Sequence, residues 1–180
     1  MTNNILLGPD AQVRFSLQLL RAYEGKGVIS GATTPVIDGI FLSNDPEAGV
    51  SGSFTSSKDN AVKLEMRVNS GIAPRWQAMH ITMGEVDLTD AAIFGIMARS
   101  FAPASVTTRI CIRTGRDDQF VDTFFPKTMV SFGKTSTHLD VLDLNGISDL
   151  PRRGTWREMI LFFRPGDVNL DLLDLRVFVA

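Results

Sequence analysis

The stretch Ala61-Val62-Lys63-Leu64-Glu65-Met66-Arg67-Val68 alternates without a break. Val62, Leu64, Met66 and Val68 share one parity, and Lys63, Glu65 and Arg67 share the other. Successive side chains on a strand point to opposite faces, so this pattern reads as a half-buried β-strand. The alternation returns downstream. Met79, Ile81 and Met83 alternate with Ala78, His80 and Thr82, and Ile110 and Ile112 alternate with Arg109, Cys111 and Arg113. Residues 91–98 are short and nearly all apolar, as expected of a strand buried on both faces. Residues 156–163 form another apolar run, in which Trp156 shares parity with Ile160 and Phe162 and reads as core.

The closing segment carries a finer signal. Val168, Leu170 and Leu172 take one parity, while Leu173, Leu175, Val177 and Val179 take the other. A strand of period two cannot turn both sets inward without a slip of one residue, so a β-bulge is expected near 172–173. Turn signals separate the runs: Asn69-Ser70-Gly71, Asn145-Gly146, Arg153-Gly154 and Arg164-Pro165-Gly166-Asp167. Short strands punctuated in this way indicate an all-β sandwich.

The first 55 residues are less regular. Val13, Phe15, Leu17 and Leu19 alternate like a strand, yet Pro9-Asp10 resembles a helix start, and Val13, Leu17 and Leu20 fit one helical face. The expected organisation is an N-terminal extension, 1–55, packed on or beside a sandwich spanning 56–180, with at most one helix in the extension.

Composition narrows the function classes. The chain has 180 residues, 44% hydrophobic and 21% charged, which fits one globular domain and excludes a disordered chain. A net charge of −2 argues against a nucleic-acid binder. One cysteine, Cys111, excludes an internal disulfide or a CxxC pair, and two histidines, His80 and His138, leave little for a His-based metal centre. No stretch approaches 18 consecutive apolar residues, so no membrane span is expected. Without a signal-peptide pattern the expected compartment is the cytoplasm, with an extracellular or particle-associated location as the alternative. Arginine outnumbers lysine 13 to 5. That excess reads either as ordinary surface charge or as planar, bidentate recognition of anions.

From about residue 60 to 180 the order of features resembles a carbohydrate-binding-module-type jelly roll, the galactose-binding-like β-sandwich. The residues that carry the resemblance are Ala61–Met66, Trp76-Gln77-Ala78-Met79-His80-Ile81, Asp87-Leu88-Thr89 before the 91–98 run, Gly154–Ile160 and the closing Val168–Val177. It implies a jelly-roll sandwich and a non-catalytic module for a glycan, with an acidic or cell-surface glycan as the finer expectation. The resemblance also suggests Asp171 and Asp174 as candidate ligands for a structural calcium ion.

A glycan surface needs flat rings for the apolar C–H faces of sugars and planar polar groups for the hydroxyls. Trp76 shares parity with His80 and Thr82, opposite the apolar set, and is the candidate stacking ring. His80, Arg109 and Arg113 are the candidates for hydrogen bonds to hydroxyls or carboxylates. Arg109 and Arg113 span about 13 Å on one strand, and residues 91–116 hold no acid. The competing reading of that strand is a solvated face balanced by acids on its neighbours. Phenylalanine, with 12 copies, is expected to fill the core. No GxSxG motif and no complete phosphate loop is present, so no enzyme is expected. A structural module that self-associates or attaches to a larger particle is the alternative function, favoured by the single tyrosine and a mean hydropathy above zero.

Overall fold

The computed structural model describes residues 8–116 and 118–180. Two antiparallel sheets pack face to face. One has six strands in the spatial order β1 (Gly25–Ile29), β4 (Val50–Ser56), β5 (Val62–Val68), β13 (Val168–Val179), β7 (Ile93–Phe101) and β11 (Ser136–Asp143). The other has seven. Its path runs β10 (Met129–Ser131), β8 (Val106–Arg116), β12 (Trp156–Phe163), β6 (Gln77–Gly84), β3 (Ile40–Asn44) and β2 (Thr33–Ile37). The seventh, β9 (Gln119–Phe124), pairs with β8 beyond β10. The architecture is an all-β jelly-roll sandwich with one α-helix, α1 (Ala11–Ala22). No helix among the described residues is long and apolar enough to cross a membrane.

The alternating sets meet between the sheets. Val62, Leu64 and Met66 face Met79, Ile81 and Met83, joined by Phe94, Ile96, Ile110, Ile112, Met159 and Leu161 in one core. Burial of each such side chain contributes about 1.5–3 kcal/mol. The bulge falls where parity demanded it: Leu172 pairs with Ser100 and Asp174 with Arg99, which leaves Leu173 unpaired. Leu172 and Leu175 are both buried as a result.

The N-terminal third differs from the expected extension. β1 and β4 belong to the six-stranded sheet, and β2 and β3 to the seven-stranded one. The boundary expected at residue 55 lies inside β4. Gly25, Gly27, Gly52, Pro35 and several Ser and Thr dilute the alternation of these strands, which hides them from a periodicity reading. Helix α1 does form. It adds Val13, Leu17 and Leu20 to the core, and Arg21 Nε donates to Asp174 Oδ1 at 2.7 Å, tying the helix to β13.

Two further expectations are corrected. In β7 only Phe94, Ile96, Ala98 and Ser100 face the core; Ile93 and Met97 are half-buried and Arg99 is exposed on the other side. In β12 it is Arg157, Met159, Leu161 and Phe163 that face inward, and Trp156 turns outward, half-exposed. Arg157 is fully buried. Its Nε donates to Val86 O at 2.9 Å, one terminal nitrogen donates to Pro151 O at 2.5 Å and the other to the Thr114 hydroxyl. Burial pulls this guanidinium down to about 10, and only the charge of Asp87 acts the other way. Arg152 similarly donates to Leu88 O, Ala91 O and Leu144 O. Two arginines thus fasten the long connections at this end of the sandwich.

Candidate functional site

The outward parity of the seven-stranded sheet assembles a second, thinner layer. Cross-strand pairing lines up Phe41, His80, Ile160, Cys111 and Phe124 in one rung across β3, β6, β12, β8 and β9. The rung on one side holds Ser43, Ala78, Phe162 and Arg109. The rung on the other holds Thr82, Glu158, Arg113 and Asp122. Beyond it, Trp156 meets Gly115, which pairs with Phe120. A Cβ at Gly115 would overlap the Trp156 indole, so the glycine lets the ring lie flat on the sheet.

Ala78, Cys111 and Ile160 are buried on this outer side, packed under Phe124 and Phe162. Phe41, Phe124, Phe162 and Trp156 remain half-exposed, and Phe120 is exposed. The face is therefore a small apolar floor roofed by rings that still present an edge or face to solvent. The Phe124 and Phe162 centroids are 6.1 Å apart.

Two arginines sit on these rings and differ in freedom. Arg113 lies 4.0 Å over Phe120, and its fork closes on Asp122 with two bonds of 2.7 Å. The hydrogen bond to Asp122 raises its guanidinium above the ordinary value. Arg109 lies 4.0 Å over Phe124, is exposed, and makes no ion pair among the described residues. Stacking occupies its face and leaves its N–H edge open, the geometry that grips a carboxylate. Between them, Cys111 is a buried free thiol. Burial pushes it up to about 12, with Asp122 adding to the rise and the two arginines opposing it.

His80 is held from three sides. Its ring stacks on Phe41 at 4.6 Å and 9°. Nδ1 lies 2.9 Å from Glu158 Oε2, and Nε2 lies 2.8 Å from Ser43 Oγ. A carboxylate can only accept, so Nδ1 carries a proton and donates it; in the neutral imidazole Nε2 is then left to accept from the Ser43 hydroxyl.

The four glycan-binding candidates, Trp76, His80, Arg109 and Arg113, are thus brought to one side of one sheet, whereas Asp171 and Asp174 lie on β13 in the other. Trp76 extends the β3–β6 ladder through Asp45 N donating to its carbonyl at 3.0 Å, and keeps the parity of Ala78 and His80. It is half-exposed, with the Arg75 guanidinium 5.3 Å from its ring. His80, in contrast, is 7% exposed with both nitrogens engaged, so it is not free to hold a ligand hydroxyl as expected. Of the two calcium candidates, Asp174 is already engaged by cations. Among the described residues no three His, Cys, Asp or Glu side chains gather as a metal site, and Asp174 is taken by Arg21 and Arg176 at 2.7 and 2.8 Å. Burial pulls the Asp174 carboxyl up, but these two arginines hold it below its ordinary value. Sequence reading missed Phe41, Phe124, Phe162, Ser43 and Glu158. The available signal was parity: Glu158 shares the alternation of Ile160 and Phe162, which marks that set as outward.

No protein-family model and no curated protein matches the chain. Solved structures do resemble it. The xylan-binding CBM22-1 domain of Paenibacillus barcinonensis Xyn10C superposes with a TM-score of 0.51 at 9% identity, over 87% of this chain and 95% of that one. A family 11 carbohydrate-binding module from Clostridium thermocellum, bound to a β-1,3-1,4-mixed-linked tetrasaccharide, gives 0.52 at 9%, over 88% and 98%. The xyloglucanase domain of NopAA, a type three effector from Sinorhizobium fredii, in complex with cellobiose, gives 0.51 at 11%, over 86% and 99%. At these identities the likeness establishes the fold, a jelly-roll β-sandwich.

Proposed function

We propose that this protein binds a polysaccharide across the outer face of its seven-stranded sheet, without cleaving the glycosidic chain, and that the preferred glycan is acidic. The observation that carries the reading is the set of half-exposed rings, Phe41, Phe162, Phe124 and Trp156, on one sheet face beside the unpaired Arg109. Adjacent strands lie about 4.8 Å apart, so a chain crossing the strands meets rings and polar groups in turn. Rings take the apolar faces of the sugars, and the Arg109 fork takes a uronate carboxylate. That solved proteins of this fold bind xylan or a mixed-linked tetrasaccharide supports the class.

Glycosidic cleavage needs an acid and a base or nucleophile free to face the sugar. Among the described residues the two carboxylates on the strands of this face are Glu158 and Asp122. Asp122 gives both oxygens to Arg113, and Glu158 accepts from His80. Neither is free as a glycosidase requires.

The test is calorimetric titration with neutral xylan and with polygalacturonate. Phe162→Ala should weaken both at least about tenfold, given about 0.5–1.5 kcal/mol per ring contact beyond its buried area. Arg109→Ala should remove the preference for the acidic chain and its salt dependence. Absence of binding to either polysaccharide at millimolar sugar would overturn the reading.

A second reading, assembly, is favoured by the exposed Val130, Phe132, Leu139 and Val141 on β10, β11 and the loop between them. The backbone of β11 is nonetheless guarded. Lys127 Nζ donates to Leu139 O at 3.1 Å, and Asp140 accepts from the Val141 and Lys127 amides. Such blocking of an edge opposes strand-to-strand pairing.

A further inference from the structure

Ser43, His80 and Glu158 lie on one diagonal across the adjacent strands β3, β6 and β12. Ser43 pairs with Ala78, two residues before His80; His80 pairs with Ile160, two residues after Glu158. Diagonal neighbours are too far apart for short side chains to touch each other, about 7–8 Å between backbones. The imidazole in the middle spans that gap on both sides, at 2.8 Å to Ser43 Oγ and 2.9 Å to Glu158 Oε2. The Phe41 stack fixes the ring plane, and the acceptor-only carboxylate fixes the tautomer of the neutral imidazole, with its lone pair on Nε2, toward the serine hydroxyl.

We propose that these three side chains form a nucleophile–base–carboxylate relay that hydrolyses carboxylic esters. Such relays are defined by geometry and roles, on any fold and in any chain order. Ser43 Oγ attacks the ester carbonyl carbon while His80 Nε2 takes the hydroxyl proton. The tetrahedral intermediate expels the alcohol, which takes that proton from Nε2. Water, deprotonated by the same nitrogen, then attacks the acyl-serine; the acid leaves and the Ser43 hydroxyl is restored. Glu158 is a positioning residue that holds the imidazole and stabilises its charged form. Thr33 pairs with Ser43 on the edge strand β2 and offers a hydroxyl on this same exposed side.

The chemistry stands on the three side chains alone. The substrate class, O-acyl esters on sugar hydroxyls, rests on the glycan reading of this face. The charged groups around His80 are few. Glu158 faces it from β12, β3 contributes none, and on β8 Arg113 is closed by Asp122 while Arg109 leans on Phe124.

The experiment uses two probes, a fluorophosphonate that marks activated serines and p-nitrophenyl acetate. The expected result is a fluorophosphonate adduct on the Ser43 peptide by mass spectrometry. Ester hydrolysis should fall at least 100-fold in Ser43→Ala, a conservative change at a half-buried position, with the melting curve read alongside to show that the variant folds. Glu158→Gln should keep the ring in place, slow hydrolysis at least tenfold and move the acid limb of the pH–rate profile to lower pH, a displacement that a packing role alone would not cause. No adduct on Ser43, with equal hydrolysis by the wild type and Ser43→Ala, would overturn the proposal. The polysaccharide titrations are read separately. An adduct without polysaccharide binding leaves the relay and removes its sugar substrate, whereas binding without an adduct removes the relay alone.

Discussion

Replacing Arg157 by methionine tests what holds the loop end of the sandwich. Methionine matches the arginine stem in length and apolar character, so the change removes the guanidinium and little packing. Three hydrogen bonds disappear, to Val86 O, Pro151 O and the Thr114 hydroxyl. Bonds from a charged donor are worth about 1.5–3 kcal/mol each, and acceptors left buried without a partner bear the loss. Against this, the folded state no longer buries an ion, a cost of several kcal/mol and the reason the guanidinium sits at about 10. The balance is a loss of about 3 kcal/mol, which for a chain of this length lowers Tm by about 10 °C. Urea denaturation gives the free energy, and hydrogen exchange locates it. Protection should fall first around residues 85–91 and 150–154, where the lost acceptors lie. Arg157→Lys should rescue little, since a point charge cannot serve three acceptors in a fork. A methionine variant as stable as the wild type would refute the reasoning, because the cost of the buried charge would then exceed the worth of its bonds.

Three other outcomes follow from local geometry. Gly52→Ala places a Cβ inside the contact distance of the Glu65 carbonyl on the paired strand, so β4 and β5 must part and stability should fall by about 3 kcal/mol or more in denaturant melts. Gly133→Ala, with open space around it, should stay within about 0.5 kcal/mol of wild type in the same melts. Asp45 is held well below the usual carboxylate range by Arg75, through its side chain and backbone, and by the Glu47 amide. A carboxyl lowered on folding adds stability above its unfolded value of 3.8 and loses it as pH falls through the folded value. Wild-type Tm should therefore drop more steeply below pH 4 than that of Asp45→Asn; parallel curves would count against the Arg75 clamp.

The sandwich was legible wherever apolar and polar residues alternate cleanly. β5, β6 and β8 follow from parity, and the contradiction of parities at Leu172 and Leu173 marks the bulge. Legibility failed for two physical reasons. β1, β2 and β4 are rich in Gly, Ser, Thr and Pro, whose place in a sheet comes from close backbone approach and edge position, and the short β3 is apolar on both parities at Ile40, Phe41 and Leu42; neither leaves a periodic trace. β12 failed because both of its parities are apolar, so alternation could not say which set faces the core. The same ambiguity hid half of the site. His80, Arg109 and Arg113 announced themselves as polar residues on apolar strands. Phe41, Phe124 and Phe162 looked like core because a ring on a second apolar layer cannot be told by composition from a ring in the first.

The adjacent pair Arg157-Glu158 concentrates the difficulty and explains its outcome. Neighbours on a strand face opposite sides, so one of these two charges must enter the sandwich. The connections at the inner end offer carbonyl oxygens, from Val86 and Pro151, which a guanidinium fork can satisfy and a carboxylate cannot. The outer side offers the His80 Nδ1–H, which a carboxylate can accept and a guanidinium cannot. Arginine inward and glutamate outward is the assignment in which both charges find partners, and the reverse strands both. A slip of β12 by one residue would therefore cost the loop clamp and the Ser43–His80–Glu158 chain at once. The register that stabilises the fold is the register that builds the outer face, which ties the chemistry of that face to the stability of the sandwich beneath it.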